Sequence, residues 1–183
     1  MNPQASLTLQ VCAALREADI PFLLAGSFAS NYYGIPRSTK DADFVVQLSS
    51  GVGADFATRL GDAFVVDPQP SFETVMGTYR QYLRHKKKKF KVELFLLSQD
   101  AHDQERFKRR RQELLFGQRV WLLSPEDVNV TKLRWSRGKD EEDVRNVMLV
   151  QGGKLDWPYI QQWCRQHGTL AKLDEIRRSI PDI

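Results

Sequence analysis

A short apolar run, broken off by glycine and serine, is the feature that most constrains the fold of this chain. The run is Phe22–Ala25, Gly26 and Ser27 follow it, and a later apolar stretch opens on Asp41 and Asp43. Short apolar runs are typical of buried strands, and the stretch after Ser27 has helical character. The order therefore predicts a buried strand, a helix, and then a second strand that begins with acidic residues.

The rest of the chain changes character near Ser124. Upstream, the pattern predicts further strands, including a hairpin over 78–83 and 90–97 and a pair over 114–116 and 120–123. Downstream, Ser124 followed by proline is a helix start, and almost everything beyond it has helical spacing. Predicted helices span 7–18, 28–33, 52–60, 124–135, 139–150, 156–166 and 170–180. We expect an α+β protein with an α/β core at 1–123 and a helical C-terminal region at 124–183.

The composition limits the class of protein. The 183 residues are 42% hydrophobic and 27% charged, which suits a globular chain with one good core and is unlike a disordered one. No apolar run approaches the length of about 20 residues that spans a bilayer, and the N-terminus lacks the order of a signal peptide. We therefore expect a cytoplasmic protein without a membrane partner. Two distant cysteines and three scattered histidines predict no ligand cluster. These residues are Cys12, Cys164, His85, His102 and His167.

The net charge of +4 is concentrated in two basic clusters. Lys86–Lys89 is an unbroken lysine run, and five of the six residues in 106–111 are lysine or arginine. Such clusters attract phosphate polymers and polyphosphates. The alternative, a solvated hairpin tip and a solvated helix face, is common in soluble proteins and stays open.

Gly26 and Ser27 have the properties of an anion site. Glycine lets the backbone approach a phosphate closely, and serine can donate both its hydroxyl and its amide to a phosphate oxygen. The helix that follows directs its N-terminal amides and the positive end of its dipole to the same place. The sequence therefore predicts a phosphate-binding turn here.

Three acidic residues predict a metal site. Asp41 and Asp43 lie two apart on a strand, so both carboxylates project from one face, where they repel unless a cation lies between them. Glu93 interrupts an apolar strand, where a charge needs a partner. Magnesium prefers such oxygen ligands, and a third carboxylate on a neighbouring strand allows two ions. The alternative is a turn-capping Asp41, with Asp43 and Glu93 facing water.

Residues 23–46 resemble the DNA-polymerase-β-like nucleotidyltransferase superfamily. Its mark is Gly-[Gly/Ser], a short helix and Asp-x-[Asp/Glu], which Gly26, Ser27, Asp41 and Asp43 match. The resemblance implies a mixed sheet flanked by helices, with two Mg²⁺ ions and an NTP such as ATP. The implied reaction is attack by an acceptor hydroxyl on the α-phosphate, which releases pyrophosphate. The third carboxylate of the superfamily is often Asp, so the general-base role of Glu93 is the less secure part.

Further matches narrow the resemblance. The connection that contains Arg37 and Thr39 looks like the form seen in bacterial members, which implies contacts to the nucleotide. Residues 124–147 resemble the helical region of AbiEii-type toxins, in which a lysine and a Lys-Asp-x-x-Asp run approach the active site. The residues that match are Lys132, Lys139, Asp140 and Asp143. Lys132 is expected to neutralise phosphate charge, and Asp143 to orient that lysine or bind substrate. Arg37 is expected to contact a phosphate or to form a structural ion pair.

The acceptor stays open at this stage. The toxin resemblance and the basic clusters favour RNA, for example a tRNA end, together with a cognate antitoxin protein. An antibiotic-modifying enzyme is the second hypothesis, and its acceptor would favour an acidic or aromatic-lined pocket. The third hypothesis is an inactive relative that binds a nucleotide or a partner protein without turnover.

Overall fold

In the computed structural model, which describes residues 3–180, the chain forms one eight-stranded sheet flanked by helices. The strands are β1 Phe22–Leu24, β2 Asp41–Val46, β3 Phe64–Val66, β4 Ser71–Glu73, β5 Thr78–His85, β6 Lys91–Leu96, β7 Arg111–Leu115 and β8 Gln118–Leu122. The helices are α1 Pro3–Glu17, α2 Gly26–Tyr33, α3 Ala54–Leu60, α4 Ala101–Lys108, α5 Pro125–Trp135, α6 Gly138–Gln151, α7 Trp157–Gln166 and α8 Leu170–Arg178. A short 3-10 turn, Gly152–Lys154, follows α6.

The sheet is mixed, as the sequence predicted. Its order is β3-β5-β6-β2-β1-β8-β7, and β4 pairs with β5 outside this path. β2 runs parallel to β6, and β1 runs parallel to β8, while the other pairs are antiparallel. In the β2–β6 register, Asp41 lies opposite Lys91 and Asp43 lies opposite Glu93. The parallel pairing therefore brings the acidic start of β2 beside the lone glutamate of β6.

Two hydrophobic clusters stabilise the fold. The larger one packs the sheet against α1, α2 and α3, and the smaller one lies among the C-terminal helices. α5 contributes Val128 to the larger cluster and Leu133 to the smaller one, and α6 likewise contributes Val147 and Met148. Since α5 and α6 are buried on two faces, they form a shared layer between the clusters. The division at residue 124 stays a prediction.

Two elements were not predicted, namely β4 and α4. α4 lacks an apolar stripe because its buried face consists largely of His102, Asp103 and Arg106, which is a polar face satisfied by internal pairs. The predicted cap of α5 is confirmed, since Ser124 Oγ accepts a hydrogen bond from the Asp127 amide at 3.2 Å. No helix within residues 3–180 has the length and apolar character needed to cross a membrane.

Candidate active site

A cavity opens between the ends of the central strands and the two shared helices. Its strand wall comes from β2, β5 and β6, and its helix wall from α5 and α6 with the loop that joins them. The N-terminus of α2 closes one end. Residues that line the cavity include Gly26, Ser27, Asp41, Asp43, Met76, Arg80, Glu93, Phe95, Arg106, Lys132, Trp135, Arg137 and Lys139. Six of the nine site residues predicted from sequence line this cavity, and the other three lie outside its lining. The six are Gly26, Ser27, Asp41, Asp43, Glu93 and Lys132, and the three are Arg37, Thr39 and Asp143.

Gly26 begins α2 and is required by its surroundings. Its φ is +54°, in the left-handed region that favours glycine, and a Cβ there would lie 1.8 Å from Asp43 Oδ2. Any side chain at this position would therefore displace the carboxylate of Asp43. From the sequence we expected a phosphate to lie against Gly26. The structure shows that the carboxylate of Asp43 also borders this space.

The neighbouring Asp41 is held in place by the threonine of the preceding loop. Thr39 Oγ1 donates a hydrogen bond to Asp41 Oδ1 at 2.9 Å and lies 3.1 Å from the carbonyl oxygen of the same residue. Asp41 remains partly exposed at the cavity. Thr39 thus orients one carboxylate oxygen and leaves the other without this hydrogen bond.

Asp43 carries an uncompensated charge. Its carboxylate accepts no hydrogen bond and forms no ion pair with the residues at 3–180. Burial, followed by the charges of Glu93 and Asp41, raises the pKa of Asp43 from 3.8 to about 7. Lys132 and Lys91 act in the opposite direction but do not offset these effects. The strand wall therefore holds a carboxylate that a cation would stabilise.

Glu93 is placed near Asp43 but is paired with cations of the sheet. Its Oε2 lies 3.1 Å from Arg80 Nη1, and its Oε1 lies 2.5 Å from Lys91 Nζ. Asp41, Asp43 and Glu93 do not form a group in which one carboxylate oxygen from each lies within 4.8 Å of the other two, as judged over the described residues. Sequence reasoning missed Arg80 and Lys91. Arg80 is a diagonal neighbour of Glu93 across the β5–β6 hairpin, so it could have been identified only if the register of that hairpin had been known.

The helix wall holds a buried lysine with two acidic partners. Lys132 Nζ lies 3.0 Å from Asp140 Oδ1 and 2.8 Å from Asp143 Oδ2, and the residue is 6% exposed. Burial alone would raise the pKa of both aspartates, but for each the hydrogen bonds and charges of its cationic partners outweigh burial and lower it. The predicted link between Asp143 and Lys132 is therefore visible in the geometry.

Arg37 connects this ion-pair network to the start of α2. Its Nε and Nη2 lie 2.6 and 2.8 Å from the two oxygens of Asp143, and Nη2 also donates to Ser27 Oγ at 3.0 Å. The hydrogen bonds that Arg37 donates to Asp143, and to a lesser degree the charge of Asp143, raise the pKa of Arg37 despite some burial. The structure shows the ion-pair alternative for Arg37, and the phosphate contact stays a prediction. Ser27 Oγ is already a partner of Arg37, so its amide is the more available donor.

Two further cations flank the cavity at the α5–α6 loop. Arg137 Nε lies 2.5 Å from Asp140 Oδ2, and its guanidinium lies 4.8 Å from the ring centroid of Trp135. Lys139 is exposed at the rim. Lys139 was part of the sequence pattern, whereas Arg137 was missed because its spacing from Lys132 carried no recognisable motif.

The second basic cluster, at 106–111, is not a solvated helix face. Arg106 is buried and pairs with Asp103, Arg109 stacks on Tyr159 with its Cζ 3.9 Å from the ring centroid, and Arg111 bonds Glu126. These contacts hold most of the cluster against the protein itself. By contrast, Lys86, Lys87, Lys88 and Lys89 are all exposed.

The histidines are also less scattered in space than in sequence. The rings of His102 and His167 lie 5.1 Å apart, and with Asp100 they form a group whose ligand atoms all lie within 4.8 Å of one another. The expectation that no ligand cluster involves histidine was therefore wrong. Helix packing joins α4 to the end of α7, which sequence spacing could not show.

The strand wall fits a hard divalent cation. Its donors are carboxylate oxygens, and within the described part of the chain Asp43 forms no ion pair. Magnesium prefers this donor set and commonly uses one or two carboxylates together with the phosphates of its substrate. Asp41 and Asp43 would hold such an ion, and Glu93 is close enough to raise the pKa of Asp43.

Comparison with solved structures finds the same fold in several proteins. The antibiotic-resistance factor ANT(2'')-Ia has a TM-score of 0.60 at 12% identity, covering 97% of this chain and 98% of that one. An antigenic nucleotidyltransferase-like protein from Paracoccidioides brasiliensis has a TM-score of 0.51 at 18% identity, covering 96% and 92%. The lincosamide antibiotic adenylyltransferase LnuA has a TM-score of 0.50 at 10% identity, covering 79% and 96%.

At the level of sequence, a search of curated proteins finds no match. A family model does match and spans residues 17–179, which includes both walls of the cavity. Together with the shared fold, this match confirms the resemblance to the polymerase-β-like nucleotidyltransferases. The chain belongs to the family described as nucleotidyltransferase of unknown function (DUF6036).

Proposed function

We propose that the protein is a Mg²⁺-dependent enzyme that transfers a nucleoside monophosphate from an NTP to an acceptor hydroxyl. The observation that carries this proposal is Asp43, a carboxylate that has no ion-pair partner among residues 3–180 and lies beside Gly26 at the start of α2. An uncompensated carboxylate next to helix amides provides, within one cavity, a cation site and a phosphate site. Both are needed to bind a metal–triphosphate complex.

Each wall has a separate role in this proposal. Asp41, oriented by Thr39, and Asp43 hold Mg²⁺, and Glu93 helps with a second ion and accepts the proton of the acceptor hydroxyl. When bound, the ions neutralise phosphate charge and lower the pKa of that hydroxyl. Glu93 must loosen its pairs with Arg80 and Lys91 to take part, so these two cations set its availability.

The nucleotide phosphates lie between α2 and the helix wall. The amides of Gly26 and Ser27 bind the β- and γ-phosphates, because helix N-terminal amides favour anions. Lys132 lies on the opposite wall and neutralises charge that develops on the transferred phosphate. Asp143 and Arg37 fix the position of Lys132 and of Ser27, so they act mainly as positioning residues for the nucleotide.

For the acceptor we propose RNA, such as a tRNA end. The exposed lysine run, Lys86–Lys89, lies in the turn between β5 and β6, the two strands that carry Arg80 and Glu93. Lysines in this position can attract an RNA backbone towards the cavity. An enzyme that blocks RNA ends would harm its own cell, which is the reason to propose a toxin role with a protein antitoxin.

A small hydroxylated molecule is the second candidate acceptor. The cavity has an apolar side with Phe95 and Trp135 packed edge to face, their ring centroids 6.4 Å apart, and Met76 also lines it. Such a lining suits a compact ligand better than a polymer. Two proteins of the same fold act on or bind compact antibiotics, namely ANT(2'')-Ia with adenylyl-2''-tobramycin and LnuA with lincomycin.

One experiment separates these readings. The protein is incubated with each of the four labelled NTPs and Mg²⁺, together with total RNA or with a panel of aminoglycosides and lincosamides. The control is Asp41→Asn/Asp43→Asn. We expect label in RNA with the native protein only, while label in an antibiotic would favour the second candidate. Nucleotide binding without transfer to any acceptor would favour an inactive relative and would overturn the enzymatic proposal.

A further inference from the structure

A second group of metal-binding side chains lies away from the cavity walls described above. Asp100 precedes α4, His102 lies in its first turn, and His167 follows the last residue of α7. One ligand atom from each of the three lies within 4.8 Å of the others. The group therefore connects the start of α4 to the end of α7.

His102 is oriented as a metal-binding histidine would be. It is fully buried, and its Nε2 lies 3.0 Å from Asp127 Oδ1. Asp127 also accepts hydrogen bonds from the hydroxyls of Ser124 and Tyr159, both at 2.6 Å. Two hydroxyls donate to the carboxylate of Asp127, which therefore acts as a hydrogen-bond acceptor. Nε2 of His102 is then the donor to Asp127 and carries the proton.

Nδ1 of His102 consequently has a free lone pair. It is buried and has no hydrogen-bond partner among the described residues, and the same is true of Nδ1 of His167. Buried nitrogens without a partner are uncommon, since a lost hydrogen bond costs about 1–3 kcal/mol. A histidine that binds metal through one nitrogen and donates to a carboxylate through the other is a recurrent arrangement.

Asp100 supplies the negative ligand and the route to solvent. Its Oδ1 accepts from the Asp103 amide at 3.0 Å and lies 3.3 Å from Arg134 Nη1, while its side chain is 34% exposed. The cap and Arg134 both use Oδ1, so Oδ2 has neither of these partners. Arg134 pairs with Asp100 and reduces the negative charge available to an incoming ion.

We propose that Asp100, His102 and His167 bind a divalent transition-metal ion, with Zn²⁺ the best match. Two imidazole nitrogens and one carboxylate oxygen suit Zn²⁺, whereas Mg²⁺ prefers oxygen ligands alone. Solvent would complete a tetrahedral site. The bound ion joins α4 to the end of α7 and so stabilises the C-terminal helices against the core.

The test uses the full chain after treatment with a chelator and removal of that chelator. Zn²⁺ is titrated by calorimetry, and Co²⁺ serves as the spectroscopic probe because its visible bands report tetrahedral nitrogen and oxygen ligands. We expect one equivalent of tight binding and a melting temperature that rises with Zn²⁺ concentration. His167→Gln should weaken binding at least tenfold, while His85→Gln, which changes the half-buried histidine of the β5–β6 hairpin, should bind as the native protein does.

Two further variants make the outcome decisive. Asp100→Asn retains an N-cap acceptor for α4 but removes the charged ligand, so it should also weaken binding at least tenfold even if His167→Gln fails to fold. Asp41→Asn/Asp43→Asn should leave this binding unchanged. Equal Zn²⁺ affinity in the native protein and in Asp100→Asn, or loss of binding only in the Asp41/Asp43 variant, would overturn the proposal.

Discussion

The two walls of the cavity differ in how their acidic side chains are paired with cations. On the strand wall, Asp43 has no ion-pair partner between residues 3 and 180, and burial together with Glu93 and Asp41 raises its pKa to about 7. On the helix wall, Lys132 is buried between Asp140 and Asp143, and the pKa of each aspartate lies below its ordinary value. Within residues 3–180 the cations of the strand wall, Arg80 and Lys91, pair with Glu93 and leave Asp43 unpaired, whereas both aspartates of the helix wall have cationic partners.

This difference separates residues that bind a ligand from residues that stabilise the fold. A carboxylate that repels its neighbours destabilises the fold until a ligand neutralises it, so it is retained for function. A buried ion-pair network that is fully partnered holds elements together, and breaking it leaves an unpaired charge. Substitutions on the strand wall should therefore abolish activity while sparing stability, and those on the helix wall should reduce stability as well.

The largest effect is expected for Asp43→Asn. Removing this carboxylate should lower nucleotide transfer by about 10³-fold or more, because the charge that holds the metal–phosphate complex is lost. In metal-free buffer at pH 8 the free energy of unfolding should stay the same or rise by about 1 kcal/mol, because the repulsion is relieved. Transfer is measured with labelled NTP, and stability by urea denaturation.

The matched control for this variant is Asp62→Asn, which makes the same chemical change at an exposed position after α3. It should alter neither transfer nor stability beyond about 0.5 kcal/mol. A large loss of stability in Asp43→Asn would mean that the aspartate supports the fold, and the contrast between the walls would not hold.

Lys132→Met should produce the largest loss of stability. The substitution leaves Asp140 and Asp143 with only Arg137 and Arg37, and removing one partner of a buried pair costs about 3 kcal/mol. Urea denaturation measures this cost. Lys139→Met, the same change at an exposed position of α6, should cost less than about 0.5 kcal/mol. Equal stability of these two variants would show that the helix wall does not depend on its lysine.

The two walls differ in how they were predicted from the sequence. The acids of the strand wall could be predicted from the residues themselves, because Asp41 and Asp43 share a face by strand geometry and Glu93 is a lone acid in an apolar strand. Lys132 and Asp143 came from the motif of the family resemblance. The resemblance to AbiEii-type toxins stays a prediction, as do the cytoplasmic location, the RNA acceptor and the antitoxin.

The remainder required tertiary structure. Arg80 pairs with Glu93 through a register that no local pattern specifies. The contact between His102 and His167 depends on how α4 packs against α7, and α4 itself was missed because its buried face is polar. Long-range pairs of this kind leave no periodic signal, so neighbours in space remain distant in the sequence.

A smaller effect should appear in the dependence of stability on pH. The folded-state pKa of Asp143 lies below 3.8, since the hydrogen bonds and charges of Arg37 and Lys132 outweigh burial. Its stabilisation is therefore complete above its ordinary pKa and is lost as the pH falls through the folded value. From about pH 5 to pH 3, Asp143→Asn should lose about 1 kcal/mol less free energy of unfolding than the native protein does. Urea denaturation at several pH values measures both slopes, and parallel slopes would contradict the assigned pairing.

The smallest effect is expected outside both walls, at the lysine run of the β5–β6 turn. Replacing Lys86–Lys89 by serines should raise the KM for RNA about threefold at low salt and much less at high salt, because exposed lysines attract the phosphate backbone through screened charge. The KM for the NTP and the stability should stay unchanged, because the four side chains are exposed and lie outside the cavity lining. The matched change is serine at Lys108, Arg109 and Arg111, where Arg109 and Arg111 are tied to Tyr159 and Glu126. That variant should lose stability without a salt-dependent change in KM, and the opposite result would assign the RNA surface to α4 and β7.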